Sequence, residues 1–171
     1  SLVYADQQTR GRGTQGRIWD GGTPSNATVG GDVFASMVVH RNASQSSLQL
    51  VSLAAGLAIV KACNNVFSIY GRIGDIKAEP PTLCIKWPND VYIAREVGEG
   101  GERKCAGVLI EGVTQGAQSK LVVGFGINVN RIEFTLELQN IATSLRLEIE
   151  QLSELGPHTD KEGRRTLLCS Q

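Results

Sequence analysis

Surplus charge is the first thing this sequence lacks. Lys+Arg and Asp+Glu balance at 17 each, so no global field draws in nucleic acid or an anionic membrane surface. Aromatic residues make up 5% of the chain, which leaves few platforms for stacking bases. An RNA-binding role therefore has little to rest on. Long apolar runs are missing too. The longest nearly apolar stretch, 48–60, is broken by Ser52 and Gly56 and is too short, with flanks too polar, to span a bilayer. No signal-peptide pattern opens the chain. Cysteine is sparse: four residues at 63, 84, 105 and 169, with no Cys-x-x-Cys and only His40 and His158 to assist. Neither a zinc site nor a disulfide framework is expected, and reduced thiols in a cytoplasmic setting are.

What is present is core. A hydrophobic content of 41% over 171 residues suits one domain, 1–171, with a sizeable interior. Residues 2–5 read as a short strand and Asp32 to His40 as a second. From Ser47 to about Val66, Leu50, Leu53, Ala54, Leu57, Ala58 and Ile59 recur at helical spacing, with serines 44, 46 and 47 available as caps. Gly56 inside that helix implies close packing against another element. The second half alternates instead: 82–86, 91–94, 104–111 and 121–130 are short strands joined by turns, an antiparallel meander. The order predicts an α/β (α+β) fold, with a mixed, largely antiparallel sheet and helices mainly on one side. Leu145 to Leu155 is a further helix candidate, and Asp160 a cap for a last one.

Three stretches are suited to chemistry. Asp6 to Arg17 is a run of twelve residues without one apolar side chain, holding three glycines and three arginines. Its Gly11-Arg-Gly13-Thr-Gln-Gly16 matches the dinucleotide fingerprint, but no helix can open at Arg-Ile-Trp-Asp-Gly-Gly-Thr-Pro, so that match is false. A solvated surface loop, or a flap whose open N–H groups and guanidinium groups meet an anion, remain as readings. In Lys86-Trp-Pro-Asn-Asp90, alternation places Lys86 opposite Leu83 and Ile85, at a strand end stiffened by proline. This describes either an ordinary hairpin or a positioned ammonium. The strand 121–130 has an apolar face (Val123, Phe125, Ile127, Val129) and a bare one (Gly124, Gly126, Asn128, Asn130). Glycine within a strand marks a bulge, a tight crossing or close approach of a ligand.

In sequence order, ADQQTRGRGTQGRIW, KWPND, KCAGVLIE and GFGINVN resemble the catalytic domain of biotin protein ligases, from about Val3 to the Ala-Thr-Ser-Leu stretch at 142–145. Lipoate ligases are the nearest rival and lack KWPND. A passive biotin- or nucleotide-binding module is the non-enzyme alternative. The resemblance implies a class II aminoacyl-tRNA-synthetase-like fold. It implies formation of biotinyl-5′-AMP from biotin and ATP with magnesium, and biotin transfer to a lysine of a carboxylase carrier domain. It carries no nucleic-acid or membrane partner, no protein-held metal site, and a monomeric or homodimeric state.

Carried over residue by residue, Gln8, Gly11, Arg12, Gly13, Thr14, Lys86 and Gly107 belong to the biotin side, with Lys86 and Arg12 catalytic. Arg12, Arg17, Trp19, Asn89, Asp90 and Asn128 belong to the adenylate side. Trp19 and Trp87 are also expected to pack so as to fix loop and lysine, and Gly107, Gly124 and Gly126 to leave room for ligand. Thr14 stands where many relatives carry arginine, which implies faster escape of the adenylate. The family's Ser/Thr-Asn turn is expected ahead of Ser1, and its small C-terminal β domain is not represented. The stretches 61–81 and 95–103 are expected to be surface loops.

Overall fold

The computed structural model describes residues 1–21, 31–40, 47–73, 80–94, 101–115 and 118–155. In chain order the elements are β1 (Leu2–Ala5), β2 (Gly11–Arg12), β3 (Ile18–Trp19), β4 (Val33–His40), α1 (Ser47–Ile73), β5 (Thr82–Lys86), β6 (Asp90–Ala94), β7 (Arg103–Gln115), β8 (Gln118–Ile127) and α2 (Leu145–Leu155). Six strands form one sheet in the order β1-β4-β8-β7-β6-β5, and β2 with β3 forms a separate hairpin. Among the described residues these strands pair antiparallel throughout, and one isolated parallel bridge joins Lys104 to Ala142. The meander expected from the alternating second half is β5 to β8.

Register sorts the side chains into two faces. Lys86 pairs with Asp90, Asp90 with Gly107, Gly107 with Gly126, and Gly126 with Phe34. Cross-strand partners project to the same side, so this row lies on one face. Ile85, Val91, Ala106 and Ile127 form the neighbouring row on the other. The helices cover the second row: Ile59, Cys63 and Phe67 of α1 and Leu145 of α2 close a core with Val91, Ile93, Cys105, Ala106, Val108, Val123 and Ile127. Each large apolar side chain buried there contributes on the order of 1.5–3 kcal/mol.

The helix α1 differs from expectation in two ways. It runs on past the expected end near Val66 to Ile73, inside the 61–81 stretch also expected to be a surface loop, because Cys63 and Phe67 extend its buried face into the core. It also docks through small residues rather than through its leucines. Gly56 lets Ile85 approach, its Cβ position lying 3.6 Å from the Ile85 side chain, and the Ser52 hydroxyl donates to the Pro88 carbonyl at 2.9 Å. Leu50, Leu53 and Leu57 stand exposed on the outer side. By length and hydropathy the span Leu50–Ile73 would be long enough to cross a bilayer, but here its Ser52–Gly56–Cys63 side is seated on the sheet. The strand β8 ends at Ile127, short of Asn130, although Asn128 N–H still donates to the carbonyl of Cys105, the residue next in register, at 2.8 Å. The serine caps at 44 and 46, the loop 95–100 and the helix from Asp160 lie outside the described residues.

Candidate functional site

The helix-free face of the sheet carries a row of missing side chains, Gly107 on β7 and Gly126 on β8, and the Trp19 indole lies over both. A Cβ at Gly126 would come within 2.6 Å of that ring, and one at Gly107 within 2.9 Å. The space expected for ligand at these glycines is thus occupied by Trp19. Gly124 stays open, its nearest neighbours being the Leu109 carbonyl and the Ser36 hydroxyl at 3.5 and 3.6 Å. Trp19 anchors the polar opening segment, which is a folded hairpin. Gly11 is buried against the Trp19 carbonyl, where any Cβ would collide.

The tip of the hairpin is closed by its own side chains. Gly13 N–H donates to the Arg17 carbonyl at 2.7 Å, and Arg17 Nη2 donates to Thr14 Oγ1 at 2.7 Å. Gln15 and Gly16 take positive φ of 57° and 73° to complete the turn. Arg17 therefore orders the loop. Arg12 leaves it, reaching Glu111 Oε2 on β7 at 2.9 Å.

Hairpin and sheet enclose a cavity of about 370 Å³. Of the residues expected at a site, Gln8, Arg12, Gly13, Thr14, Arg17, Trp19, Asn89, Asp90, Gly107 and Asn128 line it, while Gly11 supports it from behind. Lys86 does not line it. It projects on the cavity's face of the sheet, exposed, with its ammonium 4.8 Å from the centre of the Tyr92 ring, and Tyr92 is itself a wall residue. Lys86 stands at the rim. Burial raises the Tyr92 phenol pKa, and the Asp90 carboxylate adds to the rise.

The two asparagines also serve the frame. Asn89 Nδ2 donates to the Val108 carbonyl at 2.9 Å, clamping the KWPND turn to β7. Asn128 is buried and its Nδ2 donates to the Thr143 carbonyl at 3.0 Å. Thr143 in turn donates its hydroxyl to Glu148 of α2, and Ser144 Oγ accepts Leu147 N–H at 3.2 Å, capping that helix. The Ala-Thr-Ser-Leu stretch is thus what fixes Asn128.

Sequence reading missed Lys104, Arg131 and Glu111. Lys104 Nζ lies 2.7 Å from Asp90 Oδ1 inside the cavity and 5.3 Å from the Trp19 ring centre. Arg131 is buried, bonded to the Asp20 carbonyl and carboxylate at 3.0 Å each, and stacked 4.8 Å from Phe134. Nearby, Asp32 accepts Val129 N–H at 2.8 Å; burial raises its pKa, opposed by that bond and by Arg131. Chemically the cavity is a cation-rich pocket beneath an aromatic lid, with carboxylates already neutralised by pairing. Such a site suits an anionic ligand with an attached flat or apolar group.

Comparison with known proteins agrees with that chemistry. A family model described as the biotin/lipoate A/B protein ligase family matches residues 1–128. The bifunctional ligase/repressor BirA of Bacillus subtilis is 30% identical over 99% of this chain and 44% of its own length. The biotin–[acetyl-CoA-carboxylase] ligase of Mycobacterium tuberculosis is 33% identical over 76% of this chain and 40% of its own. The chain thus spans less than half the length of these relatives. Among solved structures, the biotin protein ligase from Aquifex aeolicus in complex with biotin and ATP superposes with a TM-score of 0.58 at 28% identity, covering 90% of this chain and 59% of that one.

Proposed function

Since the chain belongs to the biotin/lipoate A/B protein ligase family, we propose that it is the catalytic unit of a biotin–protein ligase. In the first step a biotin carboxylate oxygen attacks the α-phosphorus of ATP; that P–O bond forms, the bond to the leaving pyrophosphate breaks, and biotinyl-5′-AMP results. In the second, the amine of a carrier-domain lysine attacks the acyl carbon, AMP departs and the amine loses a proton as the amide forms. Biotin is favoured over lipoate by the relatives, which are named for biotin.

The residues divide the work by position. Lys86, exposed at the rim beside Tyr92, is the ammonium whose charge would favour departure of AMP; a preorganised cation at developing charge is a large catalytic effect. Arg12 and Arg17 place positive charge in the hairpin, and Trp19 shields the mixed anhydride from water. Asn128 offers amide contacts at the cavity floor. A protein-held magnesium site does not fit: among the described residues no three His, Cys, Asp or Glu side chains converge, and Asp90 and Glu111 already carry cationic partners. Magnesium would arrive on the ATP phosphates, as it commonly does. The described cysteines are free, in keeping with a cytoplasmic setting.

The observation that carries this reading is the shared face. Lys86, Asp90, Gly107 and Gly126 stand in one register row, and the glycine–arginine hairpin closes over it. ATP–pyrophosphate exchange tests it. Exchange that depends on biotin and is not supported by lipoate is expected; exchange with lipoate alone, or with neither acid, would overturn it.

A further inference from the structure

The Trp19 indole is held by contact and not by a bond of its own. Its Nε1 is buried without a hydrogen-bond partner among the described residues, and apolar contact with two glycines has no direction that would stop the ring from sliding. Where it rests is therefore set by the backbone on either side. On one side Trp19 pairs with Gly11, which belongs to the same hairpin. On the other side stands Asp20, and there Arg131 grips backbone and side chain together. Its Nη1 donates to the Asp20 carbonyl and its Nη2 meets Asp20 Oδ2, both at 3.0 Å. A planar fork with two donors fixes direction as well as distance.

Arg131 can act as a fixed point because the segment that carries it is tied on three sides. Asn128 N–H donates to the Cys105 carbonyl at 2.8 Å, and Val129 N–H donates to Asp32 Oδ1 at 2.8 Å. The Asn128 and Val129 carbonyls accept Leu145 N–H at 3.1 Å and Arg146 N–H at 2.9 Å. The Ser144 hydroxyl donates to the carbonyl of Arg131 itself. Thus β7, the entry to β4 and the start of α2 converge on residues 128–131. The far end of the hairpin has a looser tie. There Arg12 pairs with Glu111, and the two side chains are 72% and 41% exposed, a setting in which an ion pair is worth little. The Arg131 side chain is 6% exposed.

We propose that Arg131 is a positioning residue for the lid: by holding Asp20 it seats the indole over Gly107 and Gly126, and so sets how firmly the lid retains what it covers. The pair is not a device for stability. Arg131 Nε is itself buried with no hydrogen-bond partner among the described residues, and a buried arginine with a donor unmet costs the fold free energy. What the pair secures is place. The covered ligand, biotinyl-5′-AMP, rests on the ligase reading, whereas the seat of the indole can be read with no ligand present.

The test uses the whole chain with Arg131→Met, Asp20→Asn and Glu111→Gln, each in a Trp87→Phe background that leaves Trp19 as the one tryptophan. Arg131→Met removes both bonds to Asp20, and Trp19 emission is expected to move to the red. Asp20→Asn keeps the carbonyl bond and is expected to move it less, and Glu111→Gln, at the far end, to leave it unchanged. Escape of labelled biotinyl-5′-AMP is expected to quicken about tenfold in Arg131→Met, with partial recovery in Arg131→Lys. Because Arg131 also lines the cavity, Arg131→Met is repeated on Trp19→Leu. A residue that acts through the indole adds nothing once the indole is gone, so the double variant is expected to match Trp19→Leu within about twofold. Thermal melts accompany each variant; should Arg131→Met not fold, Arg131→Lys and Asp20→Asn carry the same comparisons. Unmoved emission in Arg131→Met, an equal shift in Glu111→Gln, or additive losses in the double variant overturn the inference. A wild-type chain that forms no adenylate from biotin and ATP sinks the ligase reading, while the emission comparison still decides on Arg131.

Discussion

The Trp19 indole rests on Gly126 so closely that a single added methyl would lie 2.6 Å from the ring. Gly126→Ala should therefore push the indole off the sheet, at a cost of about 1–3 kcal/mol typical of overpacking. In a Trp87→Phe background, which leaves one tryptophan, emission should shift to the red. At Gly107 the Cβ position lies 2.9 Å from the ring and 3.3 Å from the flexible Lys104 tip, so Gly107→Ala should produce the smaller shift. A larger effect at Gly107 would contradict the packing described.

Lys86→Ala should lower the rate of biotin transfer to a carrier domain about 10²-fold or more, the scale set by loss of a preorganised charge contact. Thermal stability should hardly move, because the side chain is exposed. Single-turnover transfer from preformed adenylate, beside a melting curve, checks both halves.

Thr14→Arg should slow escape of biotinyl-5′-AMP. The substitution removes the Oγ1 that accepts Arg17 Nη2 at 2.7 Å but keeps the Thr14 carbonyl, which also receives Arg17 Nε at 3.2 Å, so the turn should survive with an added cation beside the cavity. Equal dissociation rates, followed by filter binding of labelled adenylate, would rule this out.

Glu148→Ala should destabilise the fold by about 1–3 kcal/mol, the usual cost of leaving a buried donor, here the Thr143 hydroxyl, without its acceptor. Glu148→Gln keeps an acceptor oxygen and should recover most of that loss. Urea melts of the two variants make the comparison.

Alkali should loosen the core through its thiols. Burial pushes the Cys63 pKa up to about 11 from an ordinary 9.0, and burial likewise raises Cys105. A thiol that holds its proton more tightly when folded stabilises the native state fully below pH 9, and that contribution falls away as pH rises toward 11. Peptide-mapped alkylation at pH 8 should label Cys84, half-buried on the cavity face, ahead of Cys63 and Cys105, which should react only on unfolding.

Much of this was legible in the residues because the signals are local. Period-two alternation placed Lys86 opposite Leu83 and Ile85, and the register bears that out. The helix Leu145–Leu155 matches the span read from its pattern. What local pattern could not choose was the docking side of α1. That helix carries both a leucine stripe and a stripe of Ser52, Gly56, Ile59, Cys63 and Phe67, and the second wins because small residues near its start allow close approach to Ile85 and the Pro88 carbonyl. The partners of Trp19 were hidden for another reason. Gly107 and Gly126 are distant in sequence, and the glycines signal only that something comes near.

Where β6 pairs with β7, Val91 lies opposite Ala106 but Tyr92 lies opposite Lys104, so Cys105 is an extra residue, and it sets how this stretch of chain tolerates length change. Removing one residue there would restore perfect pleating and, in doing so, exchange the chemistry of the two sides of the sheet. An ammonium would be driven in among Ile59 and Phe67 while a thiol looked into the cavity. A deletion that makes the ladder more regular would be the more damaging one, because here the irregularity keeps a charge out of the core.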